Sequence, residues 1–127
     1  EDIWLAAIDD PRANPLRSRS EFYADQLDRA LAPVPADAFT IVMSHRPEAF
    51  DHAAARGVDL VLSGHTHGGQ MAVAGHSVLS VVSAQDYPWG IYARGDSRLH
   101  VTSGAGQWFP FRFGCPPEIV MLELKRA

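Results

Sequence analysis

Three histidines stand where their side chains could act together. His45 follows the apolar run Thr40-Ile41-Val42-Met43-Ser44, and the run Val58-Asp59-Leu60-Val61-Leu62 leads through Ser63-Gly64 into His65-Thr66-His67-Gly68-Gly69. Neutral imidazole is the commonest protein ligand for transition metals. Each histidine alone has an ordinary reading as a surface or hydrogen-bonded residue, and a His-x-His pair outside a strand says little more. The joint pattern is more specific: apolar run, Ser-His, helix-like stretch, apolar run, Ser-Gly-His-Thr-His-Gly-Gly. If the runs are neighbouring parallel strands, they lie ~4.8 Å apart, and side chains just past their carboxyl ends could share one cation. Open α/β sheets gather ligands there. Gly64 would let the backbone turn sharply, and Gly68 and Gly69 would leave the mouth of the site uncrowded.

The elements needed to position these residues are legible. Residues 3–9 read as a strand ended by Asp9-Asp10-Pro11, and 11–18 as a loop. Asp9 and Asp10 are open to two readings, turn residues or outer-shell carboxylates. Ser18-Arg19-Ser20-Glu21 has capping-box spacing, and Tyr23, Leu27, Ala30 and Leu31 put an apolar stripe on a helix over 20–31. The run at 40–44 predicts a strand covered on both faces. Pro47 can open a helix that Gly57 ends, and 58–62 is the next strand, so a parallel crossover is expected. Further on, 72–83, 90–95, 99–103 and 118–124 read as strands, with Arg94-Gly95-Asp96-Ser97 as a hairpin turn.

The chain has 127 residues, 46% hydrophobic and 20% charged, with a formal net charge of −4. That composition suits one globular unit with a real core. It argues against a nucleic-acid partner, which needs a basic footprint. One cysteine, Cys115, excludes an internal disulfide framework. No apolar run approaches the ~18 residues of a membrane span. The chain opens on Glu1, directly before an apolar strand, and its methionines are Met43, Met71 and Met121; a preceding segment is therefore expected.

Ser44-His45 followed by Gly64-His65-Thr66-His67 resembles the last two motifs of the calcineurin-like metallophosphoesterases. Gly68-Gly69-Gln70, Tyr87-Pro88-Trp89-Gly90-Ile91-Tyr92, Thr102-Ser103-Gly104-Ala105-Gly106 and Arg112 ahead of Pro116-Pro117-Glu118-Ile119 extend the likeness across the chain. They are similar to the bacterial branch of membrane-associated phosphodiesterases and hydrolases related to UDP-diacylglucosamine hydrolase. The resemblance implies an α/β fold: the C-terminal half of a four-layer α/β/β/α sandwich with mixed sheets, with residues 1–127 as a single partial domain. It implies that His45 and His65 ligate one divalent ion and His67 a second, with manganese, iron or zinc as the metals. A hydroxide between them would attack phosphodiester or pyrophosphate bonds. Gln70 and Arg112 would meet substrate, or else loop backbone and a structural carboxylate. The substrate would be a phosphoester, lipid-linked or nucleotide-linked, and the setting bacterial, cytoplasmic or membrane-associated.

The family's earlier motifs, Asp-x-His, Gly-Asp-x-x-Asp and Gly-Asn-His, do not occur here. Asp51-His52 is adjacent and reads as a solvated helix pair, and Gly95-Asp96 has Leu99 where the second Asp would stand. Three neutral imidazoles bring no negative charge to hold two ions ~3.5–4 Å apart. The parent is therefore expected to be the enzyme, and this chain alone to hold at most one weakly bound ion and to be inactive. A sheet face left uncovered predicts a homodimer or element-swapped oligomer. Trp108-Phe109-Pro110-Phe111 reads as core or as an exposed loop touching lipid. The other functional class is a non-catalytic association module of the same fold.

Overall fold

The structure, a computed structural model, describes residues 2–11, 18–82 and 85–125, with 81 and 82 seen by backbone only. Most of the loop expected over 11–18 lies outside the described residues. Strand β1 (Ile3–Ile8) leads to helix α1 (Arg19–Leu31), β2 (Phe39–Ser44), a 3-10 turn at Pro47–Ala49, α2 (Phe50–Ala54) and β3 (Leu60–Ser63). A turn at His67–Gln70 and a short hairpin, β4 (Ala72–Val73) with β5 (His76–Ser77), come next, then α3 (Leu79–Val82), β6 (Gly90–Arg94) and β7 (Ser97–Val101).

The main sheet has the order β1-β2-β3-β7-β6. Strands β1, β2, β3 and β7 are parallel and β6 runs antiparallel to β7, so the sheet is mixed, as expected. The β2–α2–β3 crossover joins parallel neighbours, with Ile41 opposite Leu60 and Met43 opposite Leu62. The four parallel strands therefore end along one edge, bringing Asp9-Asp10, His45-Arg46, Gly64-His65 and Thr102-Ser103 beside one another.

Ser18 caps α1, its hydroxyl oxygen accepting from Glu21 N. Glu21 does not reach back to the main chain as a capping box would have it; its carboxylate accepts the Ser18 hydroxyl at 2.9 Å. The helix buries Phe22, Tyr23 and Leu27. The core joins Leu27 to Val42, Phe50, Ala53, Val58, Val61, Leu99 and Val101, all on one side of the sheet.

The other side is open. Strand β2 is covered on one face and not on both, with Met43 43% exposed. Ile3, Leu5 and Ile91 share that open face at 56%, 62% and 72% exposure. The four-layer arrangement is not present among the described residues, which form one five-stranded sheet and a two-stranded hairpin.

Two strand readings are corrected. Residues 72–83 are not one strand: Ala74 and Gly75, both at positive φ, turn the chain after two residues, and Ser77 starts a helix by accepting Leu79 N. A two-residue loop of that kind is hairpin chemistry. Residues 118–124 pair with no strand. Their apolar side chains face solvent, Ile119 at 93% and Met121 at 94%, because no described strand lies beside them. The hairpin at Arg94–Ser97 is as read, between β6 and β7. Among the described residues no helix is long and apolar enough to cross a membrane.

Candidate metal centre

The parallel register delivers His45 and His65 to the same edge. Their rings meet edge to face, centroids 4.8 Å apart, and His65 Nδ1 stands 3.0 Å from His45 Nε2. Two nitrogens each bound about 2.0–2.1 Å from one ion, at angles of roughly 90–110°, would be about 2.8–3.4 Å apart. The pair thus has the spacing of two ligands to a common cation.

His67 does not join them. It lines a cavity of about 490 Å³ with His65, Thr66, Leu79, Gln85 and Trp108, and its Nδ1 is buried with no partner among the described residues. A buried, unpartnered imidazole nitrogen carries a desolvation cost that a bound ion would relieve. Only His45 and His65 form a pair, and no three His, Cys, Asp or Glu side chains among the described residues stand ready as one metal cage. The donor chemistry and the His45–His65 spacing fit a divalent metal, with His67 Nδ1 a separate, unshared donor atom.

The chain segment carrying His65 and His67 is strained. His65 (φ 69°), His67 (φ 51°) and Gln70 (φ 56°) occupy the left-handed region together with Gly68 and Gly69. Non-glycine residues held there cost on the order of 1 kcal/mol or more each and cluster at functional sites. The sharp turn falls on His65 and not on Gly64, whose added Cβ would make only an ordinary contact with Thr102. Gly68 and Gly69 do not clear the mouth of the site. A Cβ on Gly68 would overlap the Cys115 sulfur, and one on Gly69 would come within 2.5 Å of Leu79 Cγ. They are glycines because both lie at positive φ and the close approach of Cys115 and Leu79 leaves no room for a Cβ.

Two residues beside the histidines were not recognisable as a unit in the sequence. Arg46 is 5% exposed. Its Nε donates to Asp10 Oδ1 at 3.0 Å and its Nη1 lies 2.8 Å from His65 Nε2. Asp10 Oδ2 lies 3.7 Å from His45 Nε2. Burial, then the Arg46 guanidinium and the neighbouring His45, hold His65 below its ordinary pKa, keeping it neutral as a metal ligand must be. The signal available in the sequence was position: Arg46 follows His45, and Asp10 closes the strand paired with the one His45 closes. Asp51 is not a solvated partner of His52: its carboxylate accepts the Tyr87 hydroxyl and pairs with Arg94.

Gln70 is 1% exposed. Its amide nitrogen donates to Phe109 O and Phe111 O, and its oxygen accepts from Trp108 N and Phe109 N. Arg112 donates to the carbonyls of Ser103, Gly104, Gly106, Cys115 and Pro116. Of the two readings each carried, the structure shows main-chain contacts for both; for Arg112 these are carbonyls and not the structural carboxylate first considered. Trp108, Phe109 and Phe111 are exposed.

No family model matches the chain, and no solved structure matches it. Curated relatives do. An uncharacterized metallophosphoesterase of Helicobacter pylori J99 is 40% identical over 111 residues, covering 85% of this chain and 29% of the relative. Phosphodiesterase YaeI of Escherichia coli is 36% identical over 66% of the chain and 32% of its own length. The UDP-2,3-diacylglucosamine pyrophosphatase LpxG of Chlamydia trachomatis is 32% identical over 80% of the chain and 34% of its own length. The chain spans about a third of these relatives. Paired imidazoles at the edge of a mixed α/β sheet, and identities of this size over most of the chain, place it in the calcineurin-like metallophosphoesterase-related family.

Proposed function

We propose that this chain is the later-strand part of a metal-dependent phosphoesterase that hydrolyses phosphodiester or pyrophosphate bonds. The observation that carries the reading is the 3.0 Å approach of His45 Nε2 and His65 Nδ1 at the ends of adjacent parallel strands. The names of two relatives, a phosphodiesterase and a diacylglucosamine pyrophosphatase, support a phosphoester substrate that is lipid-linked or nucleotide-linked. In this reading His45 and His65 hold one divalent ion and His67 a second. When bound, such ions supply Lewis-acid activation of water and of the phosphoryl oxygens. The chain's own residues would orient those ions: the strained turn presents His65 and His67, and the sheet edge fixes His45. Trp108 lines the His67 cavity, and with the exposed Phe109 and Phe111 next to it in the loop it is where the parent would meet a membrane surface.

With two nitrogens in one half-site and one in the other, the isolated chain holds at most one ion and turns over little or no phosphodiester. Calorimetric titration with manganese or zinc, on the chain and on His65→Ala, tests the site, and an assay on an aryl phosphodiester tests turnover. An affinity indifferent to His65→Ala would remove the site. Rates from the chain alone matching those of an intact relative would remove the half-site reading.

The uncovered sheet face favours a second reading, a non-catalytic association module. In the enzyme reading the same face is where the second sheet of a four-layer sandwich packs. Whether the parent protein carries the three earlier motifs separates them, since only the enzyme requires them.

A further inference from the structure

Arg46 occupies an unusual position for a neighbour of a metal-binding histidine. Arginine carries only donors. The His65 Nε2 that faces its Nη1 at 2.8 Å must therefore be the bare, accepting nitrogen. A neutral imidazole has one proton, so that proton sits on Nδ1 and points at His45 Nε2, 3.0 Å away. In this tautomer both lone pairs of the histidine pair that face inward are engaged, one by Arg46 and one by His65 itself. Metal-held histidines have the opposite arrangement, one nitrogen on the ion and the other N–H donating to a carboxylate, carbonyl or water. His65 Nδ1 can take an ion only when its proton moves to Nε2, and two donors would then face each other across the Arg46 contact.

The carboxylate on the far side completes the picture. Asp10 Oδ1 accepts Arg46 Nε at 3.0 Å while Oδ2 already lies 3.7 Å from His45 Nε2. The guanidinium, 5% exposed, thus sits as a cation between the Asp10 carboxylate and the His65 imidazole, with His45 on the far side of both. A buried charge of this kind persists because its partners compensate it. A divalent ion offers those partners more charge in a smaller volume.

We propose that the Arg46 guanidinium is a resident stand-in for a divalent cation, and that ion binding displaces it and turns Asp10 from its ion-pair partner into the ion's carboxylate ligand beside His45 and His65. This rests on the proposed metal centre and adds to it the negative charge that three imidazoles lack. The exchange breaks no covalent bond: the proton leaves His65 Nδ1, returns through water to Nε2, and the guanidinium moves into solvent.

The test is zinc titration of the full chain followed by calorimetry, with imidazole 15N spectra. Arg46→Gln is expected to tighten zinc binding by roughly tenfold or more, the size of outer-contact effects on metal affinity. Asp10→Asn in the Arg46→Gln background is expected to lose that gain. In the unsubstituted chain the His65 proton is expected on Nδ1 before zinc and on Nε2 after it, a readout that does not depend on any variant folding. Arg46→Gln binding zinc no tighter than the unsubstituted chain overturns the proposal while leaving the metal centre intact. So does a His65 proton already on Nε2 without zinc. If no version binds zinc, the metal centre itself falls and the stand-in role with it.

Discussion

His67 shows how much conformational cost a single residue carries in this chain. Its φ of 51° belongs to glycine, and its buried Nδ1 has no partner among the described residues. Replacing it with glycine removes both costs, so His67→Gly is expected to raise stability by about 1 kcal/mol while removing the donor proposed for a second ion; urea denaturation reads the first and metal titration the second. Gly68 is the converse case. Alanine there meets the left-handed penalty and the Cys115 sulfur together, and Gly68→Ala is expected to cost about 2–4 kcal/mol in the same denaturation measurement. Tyr23 gives the fold a high-pH limit. Burial, helped by the Glu48 carboxylate, pushes its hydroxyl up from 10.0 to about 12. The raised value means the contribution is complete below about pH 10 and is lost as pH climbs toward about 12. The Tyr23 tyrosinate absorbance is expected to rise together with loss of α1 from the sheet.

Elements without many partners are held by single polar side chains. The aromatic loop 108–111 has no strand or helix of its own and is tied by the four hydrogen bonds of Gln70. Gln70→Ala orphans two N–H and two carbonyl groups, and is expected to cost about 1–3 kcal/mol and to expose the loop to limited proteolysis before the sheet is cut. The C-terminal segment depends in the same way on Glu118. Its carboxylate accepts from Ser103 N, Thr102 Oγ1 and Trp89 Nε1. Desolvation would raise this carboxyl, yet those hydrogen bonds outweigh it and hold it below its ordinary value. A depressed carboxyl stabilises above its ordinary pKa and stops doing so as pH falls through the folded value. Detachment of residues 118–125 below the ordinary carboxyl range, ahead of global unfolding, follows and is measurable by hydrogen exchange.

For the whole molecule the governing fact is the bare face of the sheet. Ile3, Leu5, Met43 and Ile91 present apolar side chains that nothing described covers, and Ile119 and Met121 add to the exposed apolar surface. Patches of that kind drive association. The chain is expected to self-associate at micromolar concentration, and Leu5→Glu with Met43→Glu to return it to a monomer in light scattering, since both point away from the core and neither touches the histidines. A clean monomer of the unsubstituted chain would remove the expectation.

The sequence by itself determined the strands β1, β2 and β3, helix α1, the β6–β7 hairpin turn and the three histidines, because each is written in local signals: apolar runs, a Ser cap, Gly-containing turns, and ligand-type residues after strands. It missed the break at Ala74-Gly75 and misread 118–124 as paired, because a strand exists only if another strand accepts its hydrogen bonds. Which face of β2 is bare was equally hidden, since Ile41-Val42-Met43 reads as apolar on both sides. Only the tertiary structure decided that His45 and His65 meet while His67 stands apart, and that Asp10 and Arg46, 36 residues apart, close around them. Parallel pairing carries residues distant in sequence to one edge, and neither the register nor the partner of a buried guanidinium is encoded in the residues flanking it.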